Sequence, residues 1–189
     1  MSALQKIYQH PLLTEQELQK IFDAHQKVQF KKGDYLLRAG HIAKEYYCIE
    51  HGMVRSYVTD YNGNDITTSF SGKNELVVDV FSLFHSSPAK EDIQALSDID
   101  GWKIDFEKFQ ELYHTFKGFN EWGRAWMSQS LFMIKQRAIS MITDSASERY
   151  LELLQQRPDL LSNIPLKYIA TYLGITDTSL SRIRKELSK

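Results

Sequence analysis

The sequence predicts an α+β protein in which a β-rich half is followed by a long helix and a helix-turn-helix. Three observations carry this. Between residues 28 and 104, short β-branched and aromatic runs alternate with Gly, Asn and Asp turns. From Phe116 or Phe119 to Thr143 the chain holds no proline and reads as one helix. Residues 165–187 then read as two short helices joined at a glycine, the second carrying basic residues.

In chain order, residues 14–25 open as a helix: Thr14 and Glu17 are spaced for a capping box, and Leu18, Ile21 and Phe22 share a face. Strands are predicted over 28–31, 35–38, 46–49, 53–59, 66–71, 93–97 and 101–104. Asn62-Gly63 between two of these is a hairpin signal, because a tight primed turn needs residues that tolerate positive φ. Many short strands at such spacing suggest a sandwich or roll. Residues 105–113 form a short helix. The long helix carries Phe119, Trp122, Trp126, Leu131, Phe132, Ile134, Ala138 and Ile142, more apolar surface than one side of a small β domain covers. It is either a core helix or, the reading preferred, a dimer seam. After a polar connector, Ser147 is expected to cap a helix over 148–157, stopped by Pro158.

In the final segment, Pro165 suits a first helical turn, where its missing N–H costs nothing. Ile169, Ala170 and Leu173 form an apolar face, and Gly174 stands where a helix end requires positive φ. Ile175 plugs the turn and Thr176 is placed to cap the second helix. In that helix Leu180, Ile183 and Leu187 are expected to point inward. Thr176, Asp177, Thr178, Ser179 and Ser181 are short side chains near its start, and Arg182, Arg184 and Lys185 face solvent or phosphate. That arrangement fits a reader of the DNA major groove.

Formal net charge is −1 over 189 residues, so the whole chain carries no nucleic-acid signature. The distribution is uneven: residues 148–189 sum to +2 and the remainder to −3, with four positive charges in the last eight residues. A single cysteine, Cys48, excludes an internal disulfide and a four-thiolate cluster and fits a reducing cytoplasm. No apolar run approaches the length of a membrane span and no leader is evident, so a cytoplasmic protein without membrane contact is expected.

Taken together, the chain resembles the Crp–Fnr superfamily of bacterial regulators. Phe30-Lys-Lys-Gly33-Asp34 through Gly40, Tyr46-Tyr-Cys-Ile49-Glu-His-Gly52-Met-Val54-Arg55, and Asp105-Phe-Glu-Lys-Phe109-Gln-Glu-Leu112 resemble that family's β-roll and the short helix after it. Tyr168-Ile169-Ala170-Thr-Tyr-Leu173-Gly174-Ile-Thr176 and Leu180-Ser-Arg182-Ile183 resemble its reading head. The resemblance implies an antiparallel β-roll of the double-stranded β-helix or jelly-roll kind over 1–114, a dimerisation helix over 115–144 and a helix-turn-helix DNA-binding domain over 145–189. It further implies a homodimeric transcription regulator, not an enzyme, with double-stranded DNA and RNA polymerase as partners.

The family's cyclic-nucleotide binders carry a Gly-Glu pair and, further on, Arg-Ser or Arg-Thr. Counted back from Ile104, those places fall on Val78-Asp79 and Ala89-Lys90. The guanidinium that would pair with the cyclic phosphate is absent, and Lys90 is a poor substitute for a bidentate fork. Cyclic AMP is therefore not expected. Val78, Asp79 and Lys90 remain the candidate positions for another small-molecule effector, with a solvated loop carboxylate the plainer reading of Asp79. The family also often presents Arg-Glu where Asp177 and Thr178 stand, so either a different site is read or Asp177 favours the helix N-terminus electrostatically. The chain stops soon after this helix, so the family's usual β-hairpin wing is expected to be lacking.

Cys48 and His51 have a C-x-x-H spacing without supporting ligands, and no metal or catalytic set emerges. Glu91-Asp92, Asp98 and Asp100 read as solvated turn residues. Tyr46, Tyr47, Tyr57 and Trp102 suit either core or a pocket wall. The rival functional reading is a ligand-binding or protein-interaction module whose tail has lost DNA reading.

Overall fold

The computed structural model describes residues 2–187, apart from the side chains of 161–163. The chain forms two compact units. One comprises the residues up to Ser56 with Phe70–Gln129; the other comprises Tyr57–Ser69 with the residues from Ser130 onward.

In the first unit, helices α1 (Ala3–Ile7) and α2 (Glu15–Asp23) precede the strands. Thr14 and Glu17 cap α2 reciprocally, as their spacing predicts. Strands β1 (Gln26–Phe30), β3 (Glu45–His51), β6 (Leu76–Val77) and β8 (Ile99–Asp105) make one sheet in the order β1-β8-β3-β6. Strands β2 (Tyr35–Leu37), β4 (Val54–Thr59), β5 (Asp65–Ser71) and β7 (Asp92–Ala95) make the other, in the order β2-β7-β4-β5. Gln26 to Phe30 pair antiparallel with Lys103 to Ile99, and Cys48 stands opposite Trp102. Helix α3 (Val80–His85) follows β6, and α4 (Phe106–Thr115) follows β8, with Asp105 at its N-cap. The expected strands all form, with ends shifted by a residue or two; α1, β6 and α3 were not foreseen.

Strand β3 organises this unit because both of its faces are buried. Tyr47 and Ile49 face a core shared by both sheets, with Leu36, Val54, Ile93 and Ile99. Tyr46 and Cys48 face a second core built with Tyr8, Ile21, Phe109, Phe119 and Trp122 from the helices. Side chains of a strand alternate between faces, so one uninterrupted apolar run serves two cores. Tyr46 and Tyr47 are thus core residues, and Trp102 is half-buried with its indole N–H donating to Glu50 at 3.3 Å.

Within the helical core lies a closed polar chain. His25 Nδ1 donates to the Ile21 carbonyl at 2.7 Å, which leaves the neutral ring's Nε2 as an acceptor. The Tyr8 hydroxyl therefore donates to Nε2 at 2.8 Å and accepts from the Tyr46 hydroxyl at 2.8 Å. Cys48 Sγ sits 3.6 Å from the same Tyr8 oxygen. Burial pushes the Cys48 thiol up to about 12 and holds His25 down at about 4.

The long helix α5 (Lys117–Thr143) runs as expected. In the second unit it leads to α6 (Ala146–Gln156), α7 (Pro158–Asn163), α8 (Leu166–Tyr172) and α9 (Asp177–Leu187). Two local expectations are corrected. Ser145, not Ser147, caps α6, because only Ser145 stands three residues before Glu148 and completes a capping box with it. Pro158 does not simply stop a helix; it opens α7 from the N1 position, where proline fits.

The turn between α8 and α9 has the expected geometry. Ile169, Ala170, Leu173 and Leu180 are at most 3% exposed and Ile183 is 6% exposed. Leu187, expected inside, is 46% exposed, since the last turn of α9 runs past the packed layer. Gly174 has φ +70°, and a Cβ there would lie 2.6 Å from the Met141 methyl. The family's wing would follow α9, outside the described residues.

Two predictions follow from this packing. His25 protonates near 6.5 when unfolded and near 4 when folded, so the unfolded state binds the extra proton between those values. Stability is therefore fully present above pH 6.5 and falls as pH drops towards 4, by about 3 kcal/mol; urea midpoints measured across this range should decline, and His25→Gln should flatten the decline. Gly174→Ala should lower stability by about 1–2 kcal/mol through positive-φ strain and the Met141 contact, read as a lower melting temperature.

Candidate functional site

The exposed surface of α9 and of the turn that joins it to α8 is the first candidate. The Thr176 hydroxyl accepts the Ser179 N–H at 3.2 Å, fixing the start of α9, and lies 2.9 Å from the Thr178 and Ser179 hydroxyls. Thr176, Asp177, Thr178, Ser181, Arg182, Arg184 and Lys185 are exposed; Ser179 is half-buried. At 3.6 residues per turn, Thr178, Ser181, Arg182 and Lys185 lie opposite the packed Leu180 and Ile183. Asp177 and Arg184 take one flank and Ser179 the other. The structure thus brings the first four together as a single outward stripe and sets the rest beside it. Asp177 occupies the first turn, where its charge complements the positive end of the helix dipole.

The positions of these residues depend on how α8 ends. Its last carbonyls lack partners within the helix. The Arg137 Nη2 donates to the Tyr172 carbonyl at 2.9 Å, and the Arg149 Nη2 donates to the Leu173 carbonyl at 3.0 Å. Arg149 Nη1 also donates to the Asp144 carbonyl at the end of α5. Two cations at a helix C-terminus are electrostatically favoured, and charged donors make the stronger hydrogen bonds. Neither arginine stood out in the sequence, because a helix end and a distant guanidinium share no local pattern.

The second candidate is a cavity of about 240 Å³ in the first unit. Leu36, Val77, Val78 and Ile93 give it apolar walls, and Lys44, Glu45, Tyr47 and Asp79 give it polar ones. Val78 and Asp79, the expected effector positions, do line it. Lys90 does not; it is exposed, beside the buried Ala89. Asp79 is not simply a solvated carboxylate: its Oδ1 accepts the Ser82 N–H at 2.8 Å and caps α3. Glu45 accepts from Lys103 and, at 2.7 Å, from the Tyr47 hydroxyl. Burial pushes its carboxyl up, but these two bonds prevail and hold it below the usual carboxylate range.

Two carboxylates and one lysine face the space, and no guanidinium is among the lining residues. A buried phosphate beside carboxylates lacks the pairing that would offset its desolvation.

The acidic residues expected in solvated turns have structural partners, and Asp92 and Asp100 stand in β7 and β8. Asp98 accepts from Lys31 Nζ at 2.8 Å and from the Lys32 N–H at 3.0 Å, Asp100 accepts from the Gln29 amide, and Asp92 accepts the Ala39 N–H. Cys48 is buried while His51 is exposed at the end of β3, so the two do not converge. Among the described residues no helix is long and apolar enough to cross a membrane.

Residues 27–116 match the cyclic nucleotide-binding domain family. The fold is similar to that of FixK2 from Bradyrhizobium japonicum, with a TM-score of 0.77 at 16% identity, covering 87% of this chain and 84% of that one. It is similar to a putative transcriptional regulator of the Crp/Fnr family from Eubacterium rectale, with a TM-score of 0.72 at 18% identity over 96% and 87% of the two chains. It is also similar to CLP from Xanthomonas campestris, a c-di-GMP-responsive global regulator, with a TM-score of 0.70 at 15% identity over 93% and 92%. The resemblance read in the sequence is borne out at the level of the fold: the chain folds like solved Crp/Fnr regulators, and its residues 27–116 match the cyclic nucleotide-binding domain.

Proposed function

We propose that this protein is a cytoplasmic, non-enzymatic transcription regulator that binds DNA as a homodimer, with an effector domain that does not take cyclic AMP. The observation that carries the reading is the outward stripe of Thr178, Ser181, Arg182 and Lys185 on α9, opposite the packed Leu180 and Ile183. Its hydroxyls and cations are the groups that contact base edges and phosphates in the major groove, and Arg182 suits a guanine. Thr176, Ser179 and Arg184 flank the stripe, and Asp177 tunes the helix start.

The dimer reading rests on α5. Met127, Leu131, Ile134, Ala138 and Met141 recur at alternating spacings of four and three, the seam of a two-helix coiled coil. All are exposed, Leu131 and Ile134 at 67% each. An apolar stripe of this length is a surface for a second copy. Paired reading heads about one DNA turn apart (~34 Å) would then address two half-sites. The cavity lined by Val78 and Asp79 suits a neutral or cationic small molecule, which would act by binding one head arrangement better than another. RNA polymerase is the expected further partner of such a regulator.

Selection of duplexes from a random library at low salt should enrich a two-fold symmetric site, with binding that falls steeply as salt rises. Arg182→Ala should cost about 1–3 kcal/mol at that site and relax its sequence preference while the dimer persists. Equal, weak binding to every duplex would instead favour an interaction module with a lost reading head. Ile134→Glu should convert the dimer to a monomer in sedimentation equilibrium; an unchanged mass would remove α5 as the seam.

A further inference from the structure

The hairpin of β4 and β5 belongs with the reading head. Its tip residues, 57–69, group with the C-terminal helices, although both strands continue into the sheet of the first unit. Specific bonds account for this. Arg137 on α5 donates from Nη1 to the Thr68 carbonyl at 2.8 Å and from Nη2 to the Tyr172 carbonyl at 2.9 Å. Its guanidinium lies 4.1 Å from the centre of the Tyr172 ring. One planar group therefore joins a strand of the hairpin, the end of α8 and the long helix. Beside it, the Thr171 hydroxyl donates to the Tyr168 carbonyl at 3.0 Å. It accepts the Thr67 N–H at 3.2 Å and, with its single proton committed, accepts the Thr67 hydroxyl at 2.8 Å. Thr67 is 1% exposed, so water does not compete for these bonds.

We propose that Arg137 is a positioning residue: with the Thr67–Thr171 pair it clasps the β4–β5 hairpin to α8, so hairpin and reading head move as one body. A displacement of the hairpin strands then reorients α9 without any contact between an effector and the head. Lysine cannot replace the clasp, because one ammonium does not span two carbonyls and an aromatic face. Where it concerns DNA, the inference rests on the proposed reading of α9.

Hydrogen exchange of the full-length, DNA-free protein tests the clasp without DNA. In Arg137→Ala, amides of 57–69 and of 166–175 should exchange faster together, by about tenfold, and Arg137→Lys should not restore them. Acceleration of one segment without the other, or of neither, would overturn the proposal. Should Arg137→Ala fail to fold, Thr171→Val removes the hairpin bond at constant shape and should still accelerate both segments, by about threefold. The second measurement uses duplexes selected by the unaltered protein, rebuilt with altered half-site spacing and as single half-sites. Arg137→Ala should hold single half-site affinity within about twofold while losing about tenfold in spacing discrimination; retained discrimination would overturn the positioning role. An unaltered protein that selects no duplex would overturn the DNA reading, while coupled exchange would still uphold the clasp.

Discussion

Burial of β3 on both faces is the constraint on which the rest depends. A strand with one wet face needs only one apolar set; β3 needs two in strict alternation, and Tyr46, Tyr47, Cys48 and Ile49 supply them. A slip of one residue would exchange the faces and bring Tyr46 and Cys48 out of the polar chain with Tyr8 and His25. The register is held from both sides, by β8 and by β6, and the N-terminal helices then have one place to pack.

The C-terminal unit solves a different problem. Two short helices bury little surface, and the first ends with carbonyls exposed to competition from water. Arg137 and Arg149 take those carbonyls, and Gly174 permits a turn tight enough for Met141 to lie against it. The positive charge left on α9 faces outward because Leu180 and Ile183 are the residues that pack. A chain with net charge −1 can thus present a basic stripe locally.

Much of this was legible in the sequence because it is local. Turn-bounded β runs, the Thr14–Glu17 box, the proline-free helix to Thr143 and the glycine turn at 174 each depend on neighbours within a few residues. Elements of a few residues, such as β6 and α1, give too little periodicity to detect. Helix α3 was hidden because Asp79 was read for what its family position holds and not as a cap. Ser145 and Ser147 compete for one helix start, and the spacing to Glu148 decides it. The candidate residues of α9 are legible in the sequence, but not their division into a stripe and two flanks, nor the grouping of the hairpin with α8, since Thr67 and Thr171 lie 104 residues apart. Lys90 failed to join Val78 and Asp79 for the same reason: a gap-free count does not say which way a turn presents its side chain.

The placement of the lone cysteine has one more consequence. A thiol held near 12 and sealed beneath Tyr8 is almost wholly protonated at neutral pH, and the protonated form is neither nucleophile nor metal ligand. Alkylating reagents and peroxides meet it when the N-terminal helices lift away and not before. The chain therefore carries its own clock: the rate at which that sulfur becomes labelled counts openings of the helical core.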